Sequence, residues 1–167
     1  MSYQSDLLRG KVALITGGGT GICRGLALAL ASHGCDVAIT SRKEEHLLPT
    51  CQDIEDVGVR ALAVSGHVRD PATVDRTVDE TIKTFGHLDI LVNGAAGNFL
   101  CLAENLSPNG FGTVIDIDLK GTFHMCRSAF SHLKKTNGVI LNISATLHYV
   151  GTVAQLHVSA AKAGIDA

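Results

Sequence analysis

Residues 11–16, KVALIT, form a short apolar, β-branched run without polar alternation, and the run stops at three consecutive glycines. A strand with one wet face alternates apolar and polar residues. A continuous run is the mark of a strand covered on both faces, as in a parallel sheet. Comparable runs are DVAITS (36–41), VRALAVSG (59–66), LDILVNGAAG (88–97, a strand running into a glycine loop) and GVILNIS (138–144). Between them lie segments with helical spacing. GICRGLALALASHG (21–34) stops at a glycine. EEHLLPTCQDIEDVG (44–58) carries Pro49, expected near its first turn. PATVDRTVDETIKTFG (71–86) opens with proline and ends with glycine, and 107–135 reads mostly as one long helix. A last helix is expected from about Val153. Parallel strands need crossovers, and right-handed crossovers put helices on both faces. The expected fold is α/β: a doubly wound parallel sheet in one domain, 1–167, ending after the fifth strand and the start of the sixth helix.

Composition agrees with a packed core and narrows the function. Hydrophobic residues are 46% and charged residues 18% of 167, enough for one buried core. A net charge of −2 gives no pull toward nucleic acid or an anionic membrane, and the apolar runs are too short to span a bilayer. The opening MSYQSDLLRGK mixes acid and base and has no apolar signal core. Cys23, Cys35, Cys51, Cys101 and Cys126 show no CxxC spacing, so reduced thiols are expected rather than disulfides or a metal site.

The stretch TGGGTGICRG joins the first strand to the first helix. Glycines there let the backbone approach a pyrophosphate at the helix N-terminus, where free N–H groups and the dipole favour anions. This makes the fold Rossmann-like and marks Thr16, Gly17, Gly18, Gly19, Thr20, Gly21 and Ile22 as cofactor-binding candidates. The alternative is a tight turn with no ligand. After the second strand stands Ser41-Arg42-Lys43, with no acid to hold a ribose 2′-hydroxyl. Arg42 and Lys43 would attract a 2′-phosphate, so NADPH is the expected cofactor. The alternative is a solvated loop paired with Glu44 and Glu45.

The spacing Thr16-Gly17-x-x-x-Gly21-Ile22 resembles the short-chain dehydrogenase/reductase family, whose third glycine would fall at Cys23. NGAAG (93–97) resembles that family's Asn-Asn-Ala-Gly loop, and GVILNIS its fifth strand. The resemblance implies that Asn93 and Ala95 lie near the cofactor. It also implies that His67, beside Val68, fills a slot where an acid often contacts adenine. Family members typically carry Tyr-x-x-x-Lys, a serine 13 residues before the tyrosine, and an asparagine on the long helix. Lys162 fits the lysine, which binds cofactor ribose. The other slots hold Val158, Ala145 and Asp118.

Either the chain is a pseudoenzyme, or its reaction needs no phenol at a carbonyl oxygen. NGAAGNFLCLAENLSPNGFGTVIDIDLKGTF, LNISATL and QLHVSAAKAGIDA together resemble the family's peroxisomal 2,4-dienoyl-CoA reductase branch, from Asp6 onward. That resemblance implies NADPH-dependent reduction of 2,4-dienoyl-CoA thioesters to 3-enoyl-CoA, in the β-oxidation of unsaturated fatty acids. Asp118 and Lys162 would hold the water that protonates the substrate carbon. Phe99, Ser107 and Asn109 would lie near the acyl thioester, and Arg69 near CoA. A homo-oligomer in the peroxisome is implied, with the cytoplasm as the alternative. Two other readings stay open: a carbonyl or alcohol oxidoreductase with an unusual donor, such as Tyr149 or His157, and an inactive nucleotide-binding fragment. The family fold continues with two more strands and further helices, so the chain is expected to be an N-terminal part. As such it should leave Val139–Ile143 as an uncovered edge, bind NADPH poorly and self-associate.

Overall fold

The computed structural model describes residues 6–167; residues 1–5, the head of the segment read as lacking a signal core, lie outside the described residues. Five strands form one sheet: β1 Val12–Thr16, β2 Asp36–Ser41, β3 Ala61–Ser65, β4 Ile90–Asn93 and β5 Val139–Asn142. Their order is β3-β2-β1-β4-β5, and every pairing is parallel. The chain winds outward from β1 to β3, then returns to place β4 on the other side of β1. That reversal opens a crevice beyond the carboxyl ends of β1 and β4, where such sheets bind ligands.

The continuous apolarity of the strands has a direct cause. Successive residues point to opposite faces, and helices cover both. Val12, Leu14 and Leu91 pack under α3 (Pro71–Phe85) and α5 (Gly121–Thr136), against Val74, Val78, Met125 and Ala129. Ala13, Ile15 and Val92 pack under α1 (Gly21–Ser32) and α2 (Glu44–Asp56), against Ala27, Ala31, Leu47 and Ile54. β5 is an edge strand, with Val139, Ile140 and Leu141 exposed.

Helix boundaries follow the capping chemistry. Asp70 caps α3 by accepting from the Ala72 and Thr73 amides, with Pro71 just inside, and Gly86 ends it at φ +91°. Three details depart from expectation. Pro49 sits inside α2, as the sixth of its 13 residues, and not in the first turn. There it deprives the Glu45 carbonyl of a helical donor, while the neighbouring Thr50 hydroxyl is 3.2 Å from both the Gly19 and His46 carbonyls. The last helix, α7 (Leu156–Asp166), follows a single turn, α6 (Leu147–Val150), and begins later than Val153. The long segment is three pieces: α4 (Pro108–Val114), a π-helical stretch (Ile115–Lys120) and α5. Wider π turns recur at functional sites, and this one carries Asp118.

Candidate functional site

A cavity of about 580 Å³ lies over the crevice. One end is lined by Arg42, Lys43, His46 and His67, and the middle by Gly17, Thr20 and Ile22. Asp118, Val158 and Lys162 line the far end.

The glycine loop is demanded by packing. Gly17 has φ +73°, and a Cβ on it would come within 3.1 Å of the Gly94 carbonyl oxygen. A Cβ on Gly18 would come within 2.5 Å of Ile39. Thr20 is the N-cap of α1, yet its side chain makes no capping bond and the first turn has no acid. The first-turn amides therefore keep their donors, and the loop fits a pyrophosphate. Thr16 serves the backbone instead. Its hydroxyl oxygen accepts from the Gly94 and Ala95 amides, each at 3.0 Å, tying the loop after β4 to the end of β1.

Cys23, in the slot of the third glycine, is buried, and burial pushes its thiol pKa up. The sulfur fills the space above Gly94, where any Cβ would overlap it. Gly94→Ala is thus expected to cost about 1–3 kcal/mol by overpacking and to lower the melting temperature. Cys23→Gly in the same chain should restore most of the loss. Additive losses in the double-mutant cycle would show that the two positions are uncoupled.

At the far end, Asp118 is 1% exposed and Lys162 is 7% exposed. Asp118 Oδ1 accepts from the Gly97 amide at 2.7 Å, and Lys162 Nζ donates to the Ile143 carbonyl at 2.8 Å. Asp118 Oδ2 lies 3.5 Å from Lys162 Nζ, an ion pair too long for a strong hydrogen bond, and has no other partner among the described residues. Burial pushes the Asp118 carboxyl above its ordinary range; the Gly97 amide and the Lys162 ammonium offset this only in part. A buried oxygen with a free lone pair, beside an ammonium, has room in its bonding for one more donor. Ala145 and Val158 also line this end and offer no hydroxyl.

The other sequence candidates scatter. Arg42 lines the cavity and forms no ion pair among the described residues, whereas Lys43 pairs with Glu45 at 3.1 Å. Ala95, His67 and Val68 line the wall. Asn93 does not: it is buried, and its amide donates to Asn142 Oδ1 at 2.9 Å, joining β4 to β5. Arg69, Phe99, Ser107 and Asn109 lie outside the wall. Arg69 pairs with Asp116 at 3.3 Å, and Ser107 caps α4 by accepting from the Gly110 amide at 3.0 Å. Phe99 stacks on His157, with ring centroids 4.4 Å apart. His157 is fully buried, and its Nε2 donates to the Phe99 carbonyl at 3.0 Å. It pins the loop that presents the Gly97 amide to Asp118. Tyr149 is 72% exposed, with its hydroxyl donating to Asp166 at 3.1 Å. Sequence reasoning passed over Asn98, Ile117 and Ser144, which also line the cavity; their only signal was adjacency to Gly97, Asp118 and Ala145.

A family model for the short chain dehydrogenases matches residues 11–167. A peroxisomal 2,4-dienoyl-CoA reductase, (3E)-enoyl-CoA-producing, of Arabidopsis thaliana is 48% identical over 99% of the chain and 58% of its own length. A protein of the same name from Danio rerio is 47% identical over 99% of the chain and 56% of its own length. The chain thus spans somewhat more than half the length of these curated relatives. Among solved structures, a short chain dehydrogenase from Mycobacterium smegmatis superposes with a TM-score of 0.92 at 31% identity, covering 97% of this chain and 69% of that one. An NAD+-bound xylitol dehydrogenase gives 0.92 at 27% identity, covering 95% and 62%.

Proposed function

Because the chain belongs to the short-chain dehydrogenase family, with residues 11–167 matching its model, we propose that it reduces 2,4-dienoyl-CoA thioesters to 3-enoyl-CoA at the expense of NADPH. The observation that carries this reading is the buried Asp118–Lys162 pair in a cavity with no tyrosine among its described lining residues. Ketone reduction asks for an acid at a carbonyl oxygen. Reduction of a conjugated dienoyl thioester asks instead for protonation of a carbon. The names of the Arabidopsis and Danio relatives support the same substrate class.

The cofactor would be held by the amides of the Gly17–Ile22 loop, by Arg42 at the 2′-phosphate, and by Lys162 at the far ribose. When bound, NADPH supplies a hydride to the far carbon of the diene. The resulting negative charge spreads to the thioester oxygen, and a proton must reach the carbon next to the thioester carbonyl. Asp118, pushed up by burial, retains acid form to a higher pH than a surface carboxyl. Its free Oδ2 and the Lys162 ammonium converge where a water can accept the acid proton and pass on its own. Lys162, anchored by the Ile143 carbonyl, holds the donor end in place. The Gly97 amide leaves Asp118 one oxygen for the relay.

The test is steady-state NADPH oxidation by the intact protein with a 2,4-dienoyl-CoA, against a panel of ketones and alcohols. Turnover of ketones without turnover of the dienoyl thioester would overturn the reading. Cofactor choice has its own check. A charge-assisted contact from Arg42 is worth about 1.5–3 kcal/mol, roughly a tenfold to hundredfold preference for NADPH over NADH. Arg42→Asp should reverse it in fluorescence titration, and equal parental affinities would refute the assignment.

The same reading puts the protein in the peroxisome, the compartment in the relatives' names, as a homo-oligomer acting on an acyl-CoA. Phe123 and Phe130, seven residues apart on α5 and both exposed, offer an apolar stripe for self-association. No helix among the described residues is long and apolar enough to cross a membrane.

A further inference from the structure

We propose that His67 reads the purine of the bound dinucleotide as a hydrogen-bond donor, so that the site takes a 6-oxo purine at least as readily as adenine. This rests on the dinucleotide reading above and concerns the base, not the reaction. With the pyrophosphate on the Gly17–Ile22 loop, the two nucleosides must run in opposite directions along the cavity. One reaches Asp118 and Lys162. The other crosses the tips of β2 and β3, where Arg42 meets its ribose and the wall beyond is formed by Gly66, His67 and Val68. Val68 is buried and apolar and suits the ring face, which leaves His67 to meet a polar edge.

The polarity of that contact follows from the backbone. The Arg69 amide, which can only donate, points at His67 Nδ1 at 3.3 Å. Nδ1 is therefore the acceptor, and in the neutral ring the proton sits on Nε2. The ring stays neutral because burial, Arg42 and Arg69 all disfavour its cation. Nε2 has no partner among the described residues, so the wall presents a free N–H. Among the described residues that line the cavity the acid is Asp118, at the opposite end. An acid at position 67 would accept and would require the 6-amino group of adenine. A donor makes no such demand. It can use N1 of adenine, and it is better matched by the O6 acceptor of hypoxanthine.

The experiment compares dissociation constants of NADPH and nicotinamide hypoxanthine dinucleotide phosphate, and of their forms lacking the 2′-phosphate, by calorimetric titration of the intact protein. The parent should bind the hypoxanthine form as tightly as the adenine form or more tightly. His67→Asp should weaken the hypoxanthine form about tenfold relative to the adenine form. His67→Gln, whose amide can turn to donate or accept, should keep the ratio near one. A parental preference for adenine, or an unchanged ratio in His67→Asp with adenine binding retained, overturns the inference. If the pair without 2′-phosphate binds more tightly, the Arg42 assignment fails and the base ratio is read on that pair. If no dinucleotide binds, the dinucleotide reading and this inference fall together.

Discussion

Replacing Asp118 with alanine should lower dienoyl-CoA turnover by about 10²–10⁴, the range of a lost general acid, while NADPH still binds. Binding is spared because the glycine loop and Arg42 do not touch Asp118, and Lys162 keeps its anchor on the Ile143 carbonyl. The parent should also show a pH signature of definite sign. The acid form of Asp118 is the donor, and burial raises its pKa. Turnover should be flat below that raised pKa and fall as pH rises through it, at a higher pH than an ordinary carboxyl would give. In Asp118→Ala this limb should vanish. A variant that turns over at the parental rate would sink the aspartate–lysine assignment. His157, buried beside the same loop, would then be the next donor to test.

Lys162→Ala should lose turnover and cofactor affinity together. The ammonium both holds the cofactor ribose and orients the water at Asp118 in this reading, so dissociation constant and rate should both suffer. Its removal also strips the Ile143 carbonyl of its donor and leaves Asp118 buried without its counter-charge. Breaking a buried pair on one side typically costs about 3–5 kcal/mol, so the melting temperature should fall as well. Titration and rate measurements well below the new melting point separate the two effects. Parental NADPH affinity under those conditions would remove Lys162 from the cofactor site. The contrast with Asp118→Ala, in which the rate falls but NADPH affinity is kept, is what assigns a ribose contact to the lysine alone.

Much of this molecule was written in local pattern. KVALIT and DVAITS read as doubly covered strands because neighbouring side chains point to opposite faces, and both faces are packed. Asp70-Pro71 and Gly86 bounded α3 because capping is decided within four residues of a helix end. The glycine loop was legible because only glycine fits a backbone at φ +73° pressed against Gly94. Lys162 stood out as a lone charge on an apolar helix.

What remained hidden depended on residues far apart in the chain. Cys23 looked like a flaw in the fingerprint; folding sets it over Gly94, whose missing side chain makes room for it. Asn93 looked like a cofactor ligand; the pairing of β4 with β5 turns its amide to Asn142. His157 was one histidine among eight; the packing of α7 brings it under the Phe99 carbonyl. Asp118 was identifiable as a residue, but its state was not. Burial of the π-helical stretch under α7 pushes the carboxyl toward its acid form, against the opposing pull of the Gly97 amide and the Lys162 ammonium. Sequence alone determined the layers and the glycine turn after β1, because periodicity and backbone sterics act over a few residues, while the pairing of Asp118 with Lys162 was implied by the family resemblance. Tertiary structure alone decided which atoms of that pair are free and how strongly they are desolvated, because desolvation depends on every chain segment packed around them.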